Sequence, residues 1–390
     1  EPVIGQEEGL TLVICGDTPL VKGETIRQMI ELHERSRAAV TILTARVDEP
    51  YGYGRVIRGE NGDVARIVEE KDCTPKERLV NEINAGTYCF DNRKLFRALK
   101  KITNDNAQGE YYLTDCIGIL KREGERIETY CTDDPAEAVG VNDRVALAEA
   151  EKTMRMRINC QHMQNGVTIV DPEHTYIEAD VKIGPDTTIL PGTFIKGHTH
   201  IGARCVIGPN TEIADSYIAD GVRISHSVLM GATVGEETSV GPFAYLRPGT
   251  VLGRKVKIGD FVEIKNASLD DGSKVSHLSY VGDAKVGKSV NIGCGAITVN
   301  YDGFQKHLTE IGDDAFIGSN VNLIAPVKIG KGAYVVAGST ITHDVGENDL
   351  AIARERQTNK PKYADILRKR KKAAMEKKQG SPPVNNRGGK

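Results

Sequence analysis

The chain has 390 residues, which is too long for one ordinary hydrophobic core, so two or three domains are expected. Hydrophobic residues make up 39% and charged residues 27%, and the net charge of −3 argues against a protein that binds nucleic acid or other polyanions in general. We find no signal peptide and no apolar run of the roughly 18 to 20 residues that a membrane span needs, so the sequence predicts a cytoplasmic protein without membrane partners.

The cysteines point to the same compartment. All eight lack both close pairing and the spacing of metal ligands. This pattern is typical of free thiols in a reducing environment, although a sequence does not exclude a disulfide.

Residues 1–142 alternate between strand and helix patterns. The apolar run 10–15 predicts a buried strand of a parallel sheet, and Asp17 follows at its carboxyl end, where open α/β sheets bind ligands. Further strands are predicted at 39–47, 84–90 and 127–131, a hairpin turning near Gly62, and helices at 24–37, 93–101 and 111–122. This order favours a three-layer α/β domain.

Residues 143–165 contain neither Gly nor Pro and are rich in Ala and Glu. They predict a long linker helix capped by Asn142 or Asp143.

From residue 166 to about 354 an aliphatic residue returns at every sixth position. The first ladder runs from Ile177 to Ile213, and after a phase slip the count resumes at Val222, Val228, Val234 and Val240. Such a period predicts a parallel β-helix of hexapeptide repeats, with Gly at many of its corners. A β-sandwich is the alternative, but it would show alternation of period two over longer strands.

Residues 355–390 form a basic tail. Lys and Arg cluster around 368–372, and the last residues are rich in Pro, Asn and Gly, which predicts disorder at the end. A basic helix could contact acidic partners, but we expect a solvated surface helix.

The ladder is interrupted twice, around residues 276–280 and again at 299–310, and functional residues gather on such insertions. Lys265 follows Arg247 by three hexapeptides, hence one full turn, so the two cations are expected to stack a coil apart. With Tyr280 and Lys306 nearby they would form a phosphate clamp.

His277 lies beside this clamp and is the candidate general base, because imidazole accepts a proton near neutral pH. The alternative is a histidine that merely satisfies hydrogen bonds. His198 and His200 could be a metal pair, but without a third ligand at useful spacing we interpret them as surface residues.

Three stretches of the sequence resemble signatures of one family. They are 241–248 (GPFAYLRP), 291–295 (NIGCG) and 300–303 (NYDG), and the chain resembles the bacterial bifunctional N-acetylglucosamine-1-phosphate uridyltransferase / glucosamine-1-phosphate N-acetyltransferase family from about Leu10 to Arg354. The resemblance implies an α/β nucleotidyltransferase-like domain, here incomplete, followed by a left-handed parallel β-helix that forms a homotrimer with acetyl-CoA bound between subunits. It also implies a role in cell-wall precursor synthesis, with glucosamine 1-phosphate, acetyl-CoA and UTP as substrates.

The same resemblance assigns roles in the acetyltransferase half. His277 matches the base that deprotonates the amine of glucosamine 1-phosphate. The matching substrate contacts are Arg247, Lys265, Tyr280, Asn291, Asn300, Tyr301 and Lys306, and the matching acetyl-CoA contacts are Cys294, Ser319, Ala337 and Arg354. The family commonly has Ala where this chain has Cys294.

In the uridyltransferase half, Asp17 and Asn142 match the Mg²⁺ ligands, and Gly54, Glu69, Asn84 and Asn142 match substrate contacts. The family places its Gly-rich nucleotide loop before the position of Leu10, and this sequence has no such loop there. Without that cradle the triphosphate lacks backbone donors. We therefore expect the 390-residue chain to lack uridyl transfer, although a full-length parent would have it.

Two rival functions stay open at this stage. One is a nucleotidyltransferase whose β-helix serves assembly or regulation, which would leave His277 without a role. The other is a structural or metal-binding β-helix, such as a carbonic-anhydrase-like trimer, which needs three histidines that converge at an interface.

Overall fold

A computed structural model describes residue 4 and residues 7–379. It divides into two compact units, Glu1–His198 and Thr199–Lys390. Within the described residues, no helix is both long enough and apolar enough to cross a bilayer. The disorder predicted for the end of the tail concerns residues 380–390, which lie outside the described part.

The first unit contains a six-stranded mixed sheet in the order β4-β3-β5-β2-β6, with β1 paired to β5. Its strands are β1 Leu10–Val13, β2 Val40–Arg46, β3 Arg55–Arg58, β4 Val64–Val68, β5 Glu82–Asp91 and β6 Ile127–Cys131. Its helices are α1 Gly23–Ser36, α2 Asn92–Leu99 and α3 Asp115–Arg122, with short 3₁₀ turns at Glu70–Asp72, Glu77–Leu79 and Pro135–Ala138.

The predicted three layers are present because β2 is buried on both faces. Val40 and Ile42 pack in one cluster with residues of α2 and α3, whereas Leu43 and Ala45 pack in a second cluster with Met29 of α1. Apart from β1, the predicted strands, helices and hairpin of this region are confirmed, with ends shifted by a few residues.

The interpretation of β1 was wrong. It pairs antiparallel with β5, and Leu10 and Leu12 are 40% and 36% exposed. An apolar run does not distinguish a strand enclosed on both faces from one with a solvent-facing side, because that depends on what packs over it.

Helix α4 (Arg144–Gln164) confirms the predicted linker helix, and the Asp143 side chain caps it by accepting a hydrogen bond from Ala146 N at 2.8 Å. Within the first unit it leads into solenoid strands β7 Thr168–Ile169, β8 Thr175–Ile177, β9 Lys182–Ile183, β10 Thr188–Ile189 and β11 Thr193–Lys196, with a 3₁₀ turn at Pro172–His174. The buried Asn159 amide donates to the backbone oxygens of Pro172 and Thr175, which fastens the helix to the first coil.

The second unit consists of short parallel strands in which each strand pairs mostly with the third one after it. The strands are β12 His200–Ile201, β13 Val206–Ile207, β14 Glu212–Ala214, β15 Tyr217–Ile218, β16 Arg223–Ile224, β17 Val228–Met230, β18 Thr233–Val234, β19 Ser239–Val240, β20 Tyr245–Leu246, β21 Val251–Leu252, β22 Lys257–Asp260, β23 Glu263–Lys265, β24 Ser268–Leu269, β25 Lys274–His277, β26 Tyr280–Gly282, β27 Ala284–Val286, β28 Asn291–Ile292, β29 Ile297–Val299, β30 Thr309–Ile311, β31 Phe316–Ile317, β32 Asn322–Ile324, β33 Val327–Ile329, β34 Tyr334–Val335, β35 Thr340–Ile341 and β36 Leu350–Ala351. Three parallel sheets result. Sheet 1 includes β13, β22, β25 and β28, sheet 2 includes β14, β20, β23 and β26, and sheet 3 includes β12, β24, β27, β30 and β33.

This parallel solenoid confirms the predicted fold class. The aliphatic ladder points inward, and successive coils lie so close together that a Cβ on Gly259 of β22 would overlap Ser276 O on the next coil. The ladder at Val228 was assigned one residue early: Val228 is half-buried, and Leu229 is fully buried instead. Some consecutive ladder residues are five positions apart instead of six, for example the buried Ile213 and Ile218. Such a step shifts the repeat by one residue, but the row of inward-facing side chains stays continuous.

Only one of the two predicted interruptions exists in the described solenoid. Val275 and Val281 are both buried and lie six positions apart, so residues 276–280 form an ordinary corner. The apparent break arises from a five-residue step between Ile264 and Leu269. The interruption after β29 is confirmed, since an excursion with a Tyr301–Lys306 bridge precedes β30.

The basic segment contains helix α5, Tyr363–Gln379. Its described side chains, through residue 376, are exposed.

Candidate functional site

The His277 corner lies between sheet 1 and sheet 2. His277 ends β25 and Tyr280 begins β26, while Leu278 takes a left-handed conformation between them. In the parallel register, Asp260 of β22 stands beside His277 of β25. This register places a carboxylate against an exposed imidazole.

His277 Nδ1 is hydrogen-bonded to Asp260 Oδ1. That bond lowers the pKa of the Asp260 carboxyl below its ordinary value. A carboxylate only accepts hydrogen bonds, so it fixes Nδ1 as the protonated nitrogen and leaves Nε2 with the lone pair that a base requires. Sequence reasoning missed Asp260. A coil with one five-residue step and two six-residue steps is seventeen residues long, so the seventeen-residue spacing between Asp260 and His277 could have indicated that the two residues stack.

The residues matched to acetyl-CoA contacts continue upward from this corner. Gly295 N donates to His277 O at 3.3 Å, Asn320 N to Cys294 O at 2.7 Å, and Gly338 N to Ser319 O at 2.8 Å. A Cβ on Gly338, which follows Ala337, would lie 3.8 Å from Arg354 Cδ. We call the stacked positions His277, Cys294, Ser319, Ala337 and Arg354 the corner column.

A cation cluster occupies the other end of sheet 2, where β20 and β23 finish. Arg247 N donates to Ile264 O at 2.8 Å, so Arg247 stands next to Lys265 on the following coil, as predicted. Lys265 contacts Lys306 of the insertion, and this neighbouring positive charge lowers the pKa of Lys306. The guanidinium of Arg247 is paired with Glu263 at 2.8 Å.

Tyr280 connects the two ends of sheet 2. Its phenol lies over Gly282, where a Cβ would overlap the hydroxyl. Asn300 Nδ2 lies 3.4 Å from Tyr280 Oη and also donates to the buried Asp283 carboxylate. Asp283, like Asp260, was not recognised from the sequence.

Two further predicted contacts lie at the margins. Asn291 pairs with Lys274 in sheet 1, on the coil above the His277 corner. Tyr301 is 56% exposed, and its hydroxyl donates to Gly303 O within the insertion.

The predicted residues of the first unit also converge. A Cβ on Gly140 would lie 3.6 Å from Asn142 Nδ2 and 3.7 Å from Asp17 Oδ2, so both side chains flank one glycine. Gly54 lies against Glu69, and Asn84 N donates to Gly54 O at 2.9 Å.

Burial raises the pKa of Glu69, whose carboxylate accepts a hydrogen bond from Thr114.

Among the described residues, no group of three or more His, Cys, Asp or Glu has the arrangement of a metal site. His200 stacks on Tyr217 at 5.2 Å. All eight cysteines are free.

The comparisons with known proteins cover both units. The Nucleotidyl transferase family matches residues 1–137, and the Bacterial transferase hexapeptide (six repeats) family matches residues 174–215 and 308–343. The "UDP-N-Acetylglucosamine Acyltransferase" structure from Francisella novicida covers 48% of this chain and 67% of its own at 19% identity, with a TM-score of 0.36 that is too low to support an argument.

Relatives of high identity span nearly the whole chain. "Bifunctional protein GlmU" of Geobacillus sp. (strain WCH70) is 57% identical over 94% of this chain and 80% of its own length. The protein of the same name from Bacillus subtilis (strain 168) is 57% identical over 95% of this chain and 81% of its own length. This chain therefore belongs to the bifunctional GlmU family, whose members are N-acetylglucosamine-1-phosphate uridyltransferases / glucosamine-1-phosphate N-acetyltransferases.

Proposed function

We propose that the solenoid transfers an acetyl group from acetyl-CoA to the amine of glucosamine 1-phosphate, with His277 as the base. The observation that carries this proposal is the His277–Asp260 pair at the foot of the corner column, where sheet 1 meets sheet 2, with the cation cluster at the other end of sheet 2. If the corner column binds the thioester and the cation cluster binds the phosphate, both reactants are held on the same rigid solenoid.

Substrate recognition follows from charge. Arg247, Lys265 and Lys306 bind the phosphate, Arg as a planar fork and each Lys as a point charge. The lowered pKa of Lys306 favours this role, since a phosphate beside the lysine pair relieves their mutual repulsion.

In the chemical step, His277 Nε2 accepts a proton from the amine while the amine nitrogen attacks the thioester carbonyl. The C–S bond then breaks, coenzyme A leaves as the thiol or thiolate, and N-acetylglucosamine 1-phosphate remains. Alignment of the two reactants can supply roughly 7 to 11 kcal/mol, and a positioned base about 10² to 10⁴-fold in rate. A backbone N–H near Cys294 would stabilise the developing oxyanion.

The active assembly is proposed to be a homotrimer with acetyl-CoA between neighbouring chains. Phe243, Phe261 and Leu278 are each more than half exposed and lie on successive coils, the last of them beside His277 at the foot of the corner column. Phe243 and Phe261 stack at 5.4 Å. An apolar stripe beside the site supports burial against a second copy.

The first unit is proposed to bind Mg²⁺ through Asp17 and Asn142. The carboxylate and amide oxygens fit this ion, which prefers hard oxygen ligands and completes its shell with water and substrate phosphates. When bound, Mg²⁺ would neutralise charge on the triphosphate. Gly54, Glu69 and Asn84 would hold N-acetylglucosamine 1-phosphate on the same side of the sheet, since Tyr53 Oη lies 3.4 Å from Gly140 N.

A coupled pyrophosphate-release assay with UTP, N-acetylglucosamine 1-phosphate and Mg²⁺, run against a no-enzyme control, tests uridyl transfer by this chain. Location in the cytoplasm stays a proposal, supported by the free cysteines.

The test of the acetyltransferase proposal is His277→Ala, assayed by release of coenzyme A from acetyl-CoA with glucosamine 1-phosphate. We expect kcat to fall by about 10² to 10⁴-fold, with unchanged melting temperature because the side chain is exposed. His200→Ala, an exposed solenoid histidine on β12, is the matched control. Near-normal turnover by His277→Ala would remove His277 from its role, and no turnover by the wild type would favour the assembly-only alternative.

A further inference from the structure

Asp283 is a buried carboxylate between the cation cluster and the insertion. It is 8% exposed and directly follows β26. Asp283 Oδ1 accepts a hydrogen bond from Asn266 Nδ2 at 2.6 Å, and Asp283 Oδ2 accepts one from Asn300 Nδ2. No family contact was matched to this residue.

The carboxylate is held in its ionised form. Burial alone would raise the pKa of Asp283, but the hydrogen bonds from Asn266 and Asn300 and the charges of Lys265 and Lys306 outweigh it and lower the pKa. Asp283 therefore accepts hydrogen bonds and donates none at neutral pH.

This charge decides which way the Asn300 amide faces. The NH₂ group of Asn300 must point at Asp283, and it also lies 3.4 Å from Tyr280 Oη. Both amide hydrogens are thereby directed into the protein. Within the described residues no donor is bonded to Asn300 Oδ1. This oxygen therefore lacks a partner in the described part of the protein, and it is not fully buried.

Asp283 also fastens the insertion at its far end. Thr309 N donates to Asp283 O at 3.1 Å, and Asp283 N donates to Lys265 O at 3.0 Å. The loop that carries Lys306 is thus hydrogen-bonded to Asp283 at both ends, through Asn300 and through Thr309.

We propose that Asp283 is a positioning residue that fixes the Asn300 amide with its oxygen outward, so that this oxygen accepts a hydrogen bond from the sugar amine while the phosphate binds the cations. The inference rests on the proposed acetyltransferase function and specifies how the substrate is oriented. A phosphate carries acceptors and is rejected by Asn300 Oδ1, whereas an amine or ammonium is a donor and is accepted. The acceptor at Asn300 and the cation cluster would thus together fix the orientation of glucosamine 1-phosphate, with its amine at Asn300 and its phosphate at the cations.

The test is Asp283→Asn, whose neutral amide can either donate or accept, so that Asn300 is free to turn over. We expect the KM for glucosamine 1-phosphate to rise at least tenfold while the KM for acetyl-CoA stays within twofold. Inorganic phosphate, as a competitive inhibitor, should keep its inhibition constant within twofold because the cations remain. Glu310→Gln, an exposed acid paired with Lys328 on sheet 3, is the matched acid-to-amide control.

A second variant keeps the test decisive if Asp283→Asn is poorly folded. Asn300→Ala removes the acceptor itself and should raise the same KM without changing phosphate inhibition. In the Asn300→Ala background, Asp283→Asn should add less than twofold, because it acts through an amide that is already gone.

Two results would overturn the proposal: an unchanged KM in both variants, or loss of phosphate inhibition in parallel with the rise in KM, which would make Asp283 a support for the Lys306 loop only. Failure of the wild type to acetylate glucosamine 1-phosphate would instead refute the proposed function.

Discussion

At the scale of single residues, the site depends on carboxylates that orient neutral groups. Asp260 fixes the tautomer of His277, and Asp283 fixes the amide of Asn300. Neither acid was recognised from the sequence, because acids at corners of a solenoid most often cap turns. Only the stacking of coils shows which neighbour each acid meets.

Asp260→Asn tests the orientation of the base. We expect kcat for acetyl transfer to fall at least tenfold with little change in either KM, since an amide can turn and stabilise the wrong tautomer. Steady-state rates measured over a range of concentrations of each substrate give kcat and both KM values.

Asp271→Asn is the control for this variant, since Asp271 is another corner acid and bonds Arg254. An unchanged kcat in Asp260→Asn would show that the bond to His277 has no part in the rate.

At the scale of elements, the insertion between β29 and β30 is ordered by Asp302. Its carboxylate accepts hydrogen bonds from Phe304 N and Gln305 N, both at 2.8 Å, and pairs with His307 Nε2 at 2.7 Å. The Gln305 bond, then those of His307 and Phe304, hold the pKa of Asp302 well below its ordinary range. These contacts order the insertion and therefore hold Lys306 in one position.

Asp302→Ala should raise the KM for glucosamine 1-phosphate several-fold by loosening this loop, with little change in the melting temperature because the buried ladder is untouched. In the wild type, a depressed folded-state pKa means that the stabilisation by Asp302 is complete above the unfolded value of about 3.9 and is lost as pH falls below it. Loop order, followed by protease susceptibility, should thus persist at pH 5 and fail only in stronger acid. An unaltered KM in Asp302→Ala would mean that the loop need not be held.

At the scale of the whole molecule, two compact units carry two sets of site residues, each within its own unit. The exposed Phe243, Phe261 and Leu278 stripe belongs to the solenoid unit and adjoins its proposed active site. Assembly and acetyl transfer are therefore expected to fail together.

Phe261→Asp tests this coupling, because a charge in an apolar interface is left without a partner. We expect native mass spectrometry to find three copies in the wild type and one in the variant, with acetyl transfer lost in the variant. Phe304→Asp, at a 96% exposed position in the insertion, provides a comparison for the charge itself. A fully active single-chain variant would separate the reaction from assembly.

The sequence by itself determined the solenoid, because an inward-facing aliphatic residue in each hexapeptide leaves a period that changes at surface positions do not remove. It also predicted the α/β elements and the linker helix, and the family likeness supplied the candidate site residues. It misplaced Val228 and read an interruption at 276–280, since five-residue steps shift the period without altering the fold. The exposure of β1 was missed for the related reason that an apolar run does not reveal what packs over it.

The tertiary structure alone decided which residues meet. Asp260 and His277 are seventeen positions apart, and so are Asp283 and Asn300, yet each pair is in contact because one coil returns above the last. The same return places Cys294, Ser319 and Ala337 over His277. A period along the chain fixes which side chains point inward, but the length of each corner fixes which outward side chains become neighbours.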